Sequence, residues 1–358
     1  MSDSRSKFFS FEPNRRTFLA GAGLAVAGMA MGPRDAAKAA GRITVADPGG
    51  PYSIGFGEAF YKPFQADTGI EVIGVARQAE PTSQVKAMVE AKSYLWDVVS
   101  LTLSSRKLLS DQGLLEPLDW NNADMKALIK PAQQPDWMGT NVYGSILAYR
   151  ADNMKNKPGS WADFYDVEGF PGRRALPKSP IHTLEGALLA DGVALDKLYP
   201  LDVDRAFKKL DQIKPHINVW WASFGQSTQL LQSGEVDFLA TSNARAQAAI
   251  DSGSDVKLIW KQALFGLEGW AIPKGTPNAD LARKFIAYCA NGKRQAVYTK
   301  VLGYGPTNQS AFEYIPAERA AQLPSAPENF KQMVQINDDW WGANKDKMFD
   351  RFNAWLLR

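Results

Sequence analysis

GRITVADPGGPYSIGFGEAFYKPFQADTGIEVI, residues 41–73, reads as strand, turn, helix, turn and strand. Gly41 to Ala46 carries Ile43 and Val45 in a short apolar run, the pattern of a first strand. Asp47-Pro48-Gly49-Gly50-Pro51-Tyr52 is a turn-rich loop. From about Gly55 to Asp67, Phe56, Phe60 and Phe64 recur every fourth residue and share one helix face. Thr68-Gly69 stops that helix, and Ile70-Glu71-Val72-Ile73 is the second strand. The alternation continues downstream. Ser83 to Ala91 is helical, Trp96-Asp97-Val98-Val99-Ser100-Leu101 is a third strand of the buried parallel type, and Ser105 to Gln112 is a helix closed by Gly113. Strands and helices joined by short loops predict an α/β lobe wound on both faces of a sheet.

Further along, the elements are less regular. Asn141 to Arg150 is a long extended stretch, and helices are expected at Trp161 to Phe164, Leu184 to Asp191 and Asp204 to Lys214. Ser227 to Gly234 reads as helix, Val236 to Ala240 as strand, Arg245 to Ser252 as helix and Val256 to Trp260 as strand. Glu268 to Pro273 is extended and Ala279 to Ala290 helical. There are no repeats and no Pro/Gly/Ser linker, so two lobes would be joined by strands crossing between them.

Upstream, Asn14-Arg15-Arg16-Thr17-Phe18-Leu19 leads into the small apolar run Leu19 to Met31 and then Ala36-Ala37-Lys38-Ala39-Ala40. A basic segment, a short apolar segment and a small-residue cleavage motif make residues 1–39 a removable twin-arginine export signal, cut near Ala39. The run is too short and glycine-rich to span a bilayer stably. The expected location is therefore the periplasm. No cysteine follows the apolar segment, which argues against a lipid anchor.

The full chain has 41 basic and 38 acidic residues. Removing the signal, with its six basic and three acidic residues, leaves 35 of each, so no overall charge favours nucleic acid or an anionic membrane. Cys289 is the only cysteine, which excludes an internal disulfide, and His182 and His216 are the only histidines. Cysteine nucleophiles, zinc sites and most histidine-based acid–base chemistry are thereby poorly supplied. Eleven tryptophans and eleven tyrosines can fill cores or line a ligand cleft.

Several ordered segments resemble the periplasmic spermidine/putrescine-binding proteins of ABC importers. They are Thr68-Gly69-Ile70-Glu71-Val72, Trp96-Asp97-Val98-Val99, Gly113-Leu114-Leu115-Glu116-Pro117-Leu118 and Ser160-Trp161-Ala162-Asp163. Further on come Gly234-Glu235-Val236-Asp237, Glu268-Gly269-Trp270-Ala271-Ile272-Pro273-Lys274-Gly275 and Gly303-Tyr304-Gly305-Pro306-Thr307-Asn308. The resemblance spans nearly the whole mature chain. It implies the two-lobed periplasmic-binding-protein architecture, an α/β fold in which each lobe is a mixed sheet flanked by helices. The expected lobes are residues 42–142 with 271–310, and 143–270 with 311–358.

The resemblance also implies site residues. Glu268 falls where the family places a carboxylate that grips an ammonium, a chemistry that nearby rings would strengthen. Its alternative is a solvated strand-end glutamate. Arg245, opening a helix after Ser242-Asn243-Ala244, can fork onto a carboxylate or pair with Glu268 in the empty protein. Tyr304 lies between glycines that permit close backbone approach. Trp341, Thr102 and Tyr52 fall at cleft positions, while Trp221 and Ser223 precede a helix that could face the cleft. Polyamine binders carry an acidic pair early in the second lobe; this chain has Ser179 and His182 there. Keeping Glu268 but gaining Arg245 disfavours a diamine and suits a zwitterion.

The implied function is a periplasmic solute-binding component delivering a polyamine, or a related small amine, to an inner-membrane ABC permease. A γ-aminobutyrate-like or opine-like zwitterion held by Arg245 and Glu268 is the alternative. The protein is expected to be a monomer, without nucleic-acid partner, metal or cofactor. An exported enzyme such as a hydrolase is the rival class. It lacks support: there is no Gly-x-Ser-x-Gly, His-Glu-x-x-His, Cys-x-x-Cys or Walker loop. Paired carboxylates for sugar hydrolysis remain open, because their separation is spatial.

Overall fold

The computed structural model describes residues 41–77 and 81–358, so the expected export signal lies outside the described residues. Strands β1 (Arg42–Asp47), β2 (Glu71–Ala76), β3 (Val98–Thr102) and β4 (Trp137–Arg150) are followed by β5 (Arg174–Pro177), β6 (Ile217–Trp221), β7 (Phe238–Ser242) and β8 (Val256–Ala271). They lie in one mixed sheet in the order β2-β1-β3-β8-β4-β7-β5-β6. β1 runs parallel to β2 and β3, and β5 runs parallel to β6 and β7. The long strands β8 and β4 are antiparallel to each other, and through them the two parallel groups become one sheet. This is the α/β architecture with crossing strands that the sequence predicts.

Apolar residues sort into two main cores. One gathers Ile43, Val45, Phe56, Phe60, Phe64, Val98, Trp137, Trp270, Phe285 and Tyr298 around the β1–β3 group. The other gathers Phe164, Leu176, Leu184, Leu188, Leu210, Phe238 and Phe352 around the β5–β7 group. β4 serves both: Val142 and Ile146 pack in the first, Leu147 and Tyr149 in the second. The predicted Phe56/Phe60/Phe64 face is entirely buried.

Three expectations need correction. Val256 to Trp260 and Glu268 onward are not separate strands but the 16-residue β8. The break read in the sequence falls near Gln262, whose φ of +62° coincides with a register shift in the pairing with β4, between Ser145 opposite Leu264 and Leu147 opposite Ile259. Tyr52 is not in a loop: helix α1 spans Pro51–Phe56, with a proline in its first turn, and a π-helical turn at Gly57–Tyr61 leads into a further helix at Lys62–Thr68. β3 is parallel to β1 but antiparallel to β8. The C-terminal helix Asp338–Leu356, begun by Asn337 accepting from the Trp340 amide at 2.8 Å, was not legible as such.

Candidate functional site

Strand ends place the polar residues. β1 ends in Asp47, which is fully buried. Its Oδ1 accepts from the Gly49 amide at 2.7 Å and the Ser53 hydroxyl at 2.6 Å, and its Oδ2 accepts from Tyr61 at 2.7 Å. These bonds fix the turn that carries Tyr52. Gly49 and Gly50 sit at positive φ in that turn. β3 ends in Thr102, whose hydroxyl caps helix α2 (Leu103–Ser110) by accepting from the Ser105 amide at 3.2 Å. β7 ends in Ser242, followed by helix α3 (Asn243–Asp251) with Arg245 in its first turn. Asn243 is fully buried; its Oδ1 accepts from the Gly144 amide at 2.9 Å and its Nδ2 donates to the Gly303 carbonyl. That one carboxamide ties the loop bearing Tyr304 to both β4 and the helix bearing Arg245. Loops at the C-terminal ends of strands are where open α/β sheets bind ligands.

Glu268 lies in the middle of this group. It is directly opposite Thr102 on β3 and Asn141 on β4, so the three side chains form a row across one face of the sheet. Its Oε1 accepts from Arg77 Nη2 at 2.5 Å and from the Ser100 hydroxyl at 3.0 Å. Both members of the ion pair are nearly enclosed, at 5% and 8% side-chain exposure. The Tyr52 phenol lies beside Glu268 and Tyr304, and the two phenol rings lie 5.4 Å apart. Burial, then the Glu268 charge, push the Tyr52 phenol well above its ordinary value, so it stays a neutral donor. Burial also raises the Tyr304 phenol, against the lowering effects of the neighbouring Tyr52, Arg245 and Ser242. Tyr304 therefore senses both Glu268 and Arg245.

Five of the sequence-predicted residues thus converge: Glu268, Tyr52, Tyr304, Thr102 and, at the rim, Arg245. The anticipated pairing of Arg245 with Glu268 is corrected. Glu268 is paired with Arg77, while Arg245 is exposed with its guanidinium 5.9 Å from the Phe224 ring. Ser223, beside Phe224, is exposed and caps its helix by accepting from the Gln226 amide at 3.2 Å. Trp221 is core, its indole donating to the Ala240 carbonyl at 3.0 Å.

His182 and Trp341 belong to a different constellation, built around Glu185. Glu185 is fully buried, and its Oε1 accepts from Trp341 Nε1 at 2.6 Å and from the Tyr199 hydroxyl at 2.7 Å. Burial pushes the Glu185 carboxyl up, and the same cause lowers His182 to about 4, leaving that imidazole neutral. Trp341 packs in the second core.

Sequence reasoning missed Arg77, Ser100, Asn141 and Tyr143. Ser100 had a signal: it stands two residues before Thr102, on the same strand face. Tyr143 had one only with its partner. It lies across from Gly266, where an added Cβ would come within 2.2 Å of the Tyr143 hydroxyl, so the glycine makes room for that ring. Arg77 follows β2 without any local motif.

A charge-matched polar cluster at the strand ends of a two-core α/β sheet is chemistry suited to a small polar solute. Among the described residues no group of three or more His, Cys, Asp or Glu is placed to hold a metal. The family model described as bacterial extracellular solute-binding protein matches residues 59–331, and the chain belongs to that family. It is 36% identical over 322 residues to the gamma-aminobutyric acid-binding protein of Pseudomonas aeruginosa, covering 88% of this chain and 91% of that one. An ABC transporter substrate-binding protein from Bradyrhizobium japonicum has a similar structure, with TM-score 0.80 and 39% identity over 88% of this chain and 99% of that one. The structure of a GABA receptor gives TM-score 0.78 and 34% identity over 88% and 97% of the two chains. A spermidine/putrescine-binding periplasmic protein of Haemophilus influenzae is more distant, at 23% identity over 71% of this chain and 73% of that one. The protein is accordingly a solute-binding component of an ABC transporter, a non-enzymatic class whose members deliver small solutes to permeases.

Proposed function

We propose that the protein binds a small zwitterion of the γ-aminobutyrate type, with a carboxylate at one end and an ammonium at the other, between the Glu268 row and Arg245. The observation carrying this reading is the Arg77–Glu268 ion pair. A lone Glu268 would suit a diamine. Balanced by Arg77, it leaves the cluster with the further positive charge of Arg245 near Tyr304, and a diamine brings two more positive charges to it. A zwitterion presents its carboxylate to Arg245 and its ammonium to the acceptors beside Glu268 and the tyrosine hydroxyls. The relatives named for γ-aminobutyrate agree with that chemistry, whereas the polyamine-binding relative is less similar. In the same reading, residues 1–39 direct export by the twin-arginine route, the lobes are 42–142 with 271–310 and 143–270 with 311–358, and the working unit is a monomer.

Isothermal titration calorimetry with γ-aminobutyrate, putrescine, spermidine and an opine tests the proposal. The expected result is saturable binding of γ-aminobutyrate or the opine, with putrescine and spermidine at least tenfold weaker. Tighter binding of either polyamine overturns it.

A further inference from the structure

Asn141 is the least satisfied polar side chain beside the site. It is completely buried, and among the described residues neither its Nδ2 nor its Oδ1 has a hydrogen-bond partner. A carboxamide loses its water on burial, and leaving both its donor and its acceptor unmade is unfavourable enough to call for a reason.

The position of Asn141 is set by the backbone. Gly139 stands opposite Gly269 and Asn141 opposite Glu268, with Thr140 as the extra residue of a β-bulge. Gly269 allows this close approach, since an added Cβ there would lie 2.1 Å from the Met138 carbonyl oxygen. Without the bulge, Thr140 would stand across from Glu268. With it, the carboxamide takes that place, in the row that continues to Thr102. On its other side Asn141 faces Pro306, which has no amide N–H to give. Pro306 lies two residues after Tyr304, which contacts Tyr52, itself beside Glu268. The unsatisfied carboxamide is thus bordered by Glu268 and by the chain segment that carries Tyr304.

We infer that Asn141 is a solute-reading residue: its Oδ1 accepts an N–H from the ammonium end of the bound zwitterion, beside the Glu268 carboxylate. A neutral acceptor there, where an aspartate is nearly isosteric, keeps the net charge of the row suited to one ammonium rather than two. This inference rests on the zwitterion reading.

The experiment is calorimetry of wild type, Asn141→Leu and Asn141→Asp with γ-aminobutyrate and putrescine, with thermal melting of each protein in the absence of solute. Asn141→Leu is expected to bind γ-aminobutyrate at least tenfold more weakly while melting at or above the wild-type temperature, because it removes unsatisfied polar atoms. Asn141→Asp is expected to shift the preference toward putrescine at least tenfold. Wild type that binds γ-aminobutyrate, with variants whose affinities and preference are unchanged, overturns the inference and leaves the proposed function standing. Lowered stability with unchanged affinity does the same, since it assigns the carboxamide to the fold alone. Wild type that binds neither γ-aminobutyrate nor the opine breaks the proposed function, and the inference with it.

Discussion

Glu268→Gln is the most informative single change. The substitution keeps the side-chain shape and an oxygen that Arg77 and Ser100 can still donate to, so what it removes is the charge. Arg77, at 5% side-chain exposure, then loses the charge of this carboxylate. Two unit charges about 4 Å apart at an effective dielectric near 20 attract by about 4 kcal/mol. Removing one partner of a buried pair costs about 3–5 kcal/mol, and the retained hydrogen bonds place this case near about 3 kcal/mol. For a chain of this size that is a fall of about 6 °C in melting temperature, at about 2 °C per kcal/mol. The same energy in binding is about a 100-fold loss of affinity, at about 1.4 kcal/mol per decade. Adding Arg77→Met removes the other half of the pair, so the double variant is expected to recover to within about 1 kcal/mol of wild-type stability while binding stays weak. Differential scanning calorimetry and titration calorimetry on the four proteins of this cycle measure both terms. A Glu268→Gln variant that melts within 1 °C of wild type and binds its solute equally well, where about 6 °C and 100-fold are expected, would refute the reasoning.

Other substitutions separate binding from folding. Arg245→Ala removes an exposed side chain, so the melting temperature should hardly move, while affinity for a carboxylate-bearing solute should fall about 10- to 100-fold, the worth of a charge-assisted hydrogen bond. Trp341→Phe loses the indole bond to Glu185 and should cost about 1–3 kcal/mol in urea unfolding, with solute affinity unchanged because that pair lies in the second core. His182, lowered to about 4 by burial, contributes stability that is present above about pH 6.5 and is lost as pH falls toward 4. The shift amounts to about 3 kcal/mol, and His182→Asn, which tolerates the φ of +70° there, should flatten that limb of the stability–pH curve. Asp338 has the opposite sign. Burial raises it to about 6, so its favourable contribution is complete below its ordinary value and is lost as pH rises through 6. Asp338→Asn should therefore stabilise the protein at pH 8 relative to pH 4, as read by urea titration at both.

The sequence carried the α/β character because the elements that define it are locally consistent. Phe56, Phe60 and Phe64 form one helical stripe, Val98 and Val99 make a buried strand, and glycines punctuate between them. Glu268, Tyr52, Tyr304 and Thr102 could be grouped from sequence through the ordered resemblance of their surroundings, and the fold brings them together at or near strand ends. What pairs with what was not legible. Arg77 and Glu268 are 191 residues apart, and only the sheet order that sets β3 and β8 side by side brings Ser100 and Thr102 to that glutamate. The continuity of Val256–Ala271 depends on pairing with β4 on either side of the register shift at Gln262, a non-local support no local pattern shows. The bulge that turns Asn141 rather than Thr140 toward Glu268 is likewise a matter of one residue in register, and register in a sheet is fixed by the strand across the way. Local periodicity, then, determined which elements this chain forms; the tertiary structure alone decided that Glu268 is already matched by Arg77, because charge balance is a property of residues brought together and not of either one in its own segment.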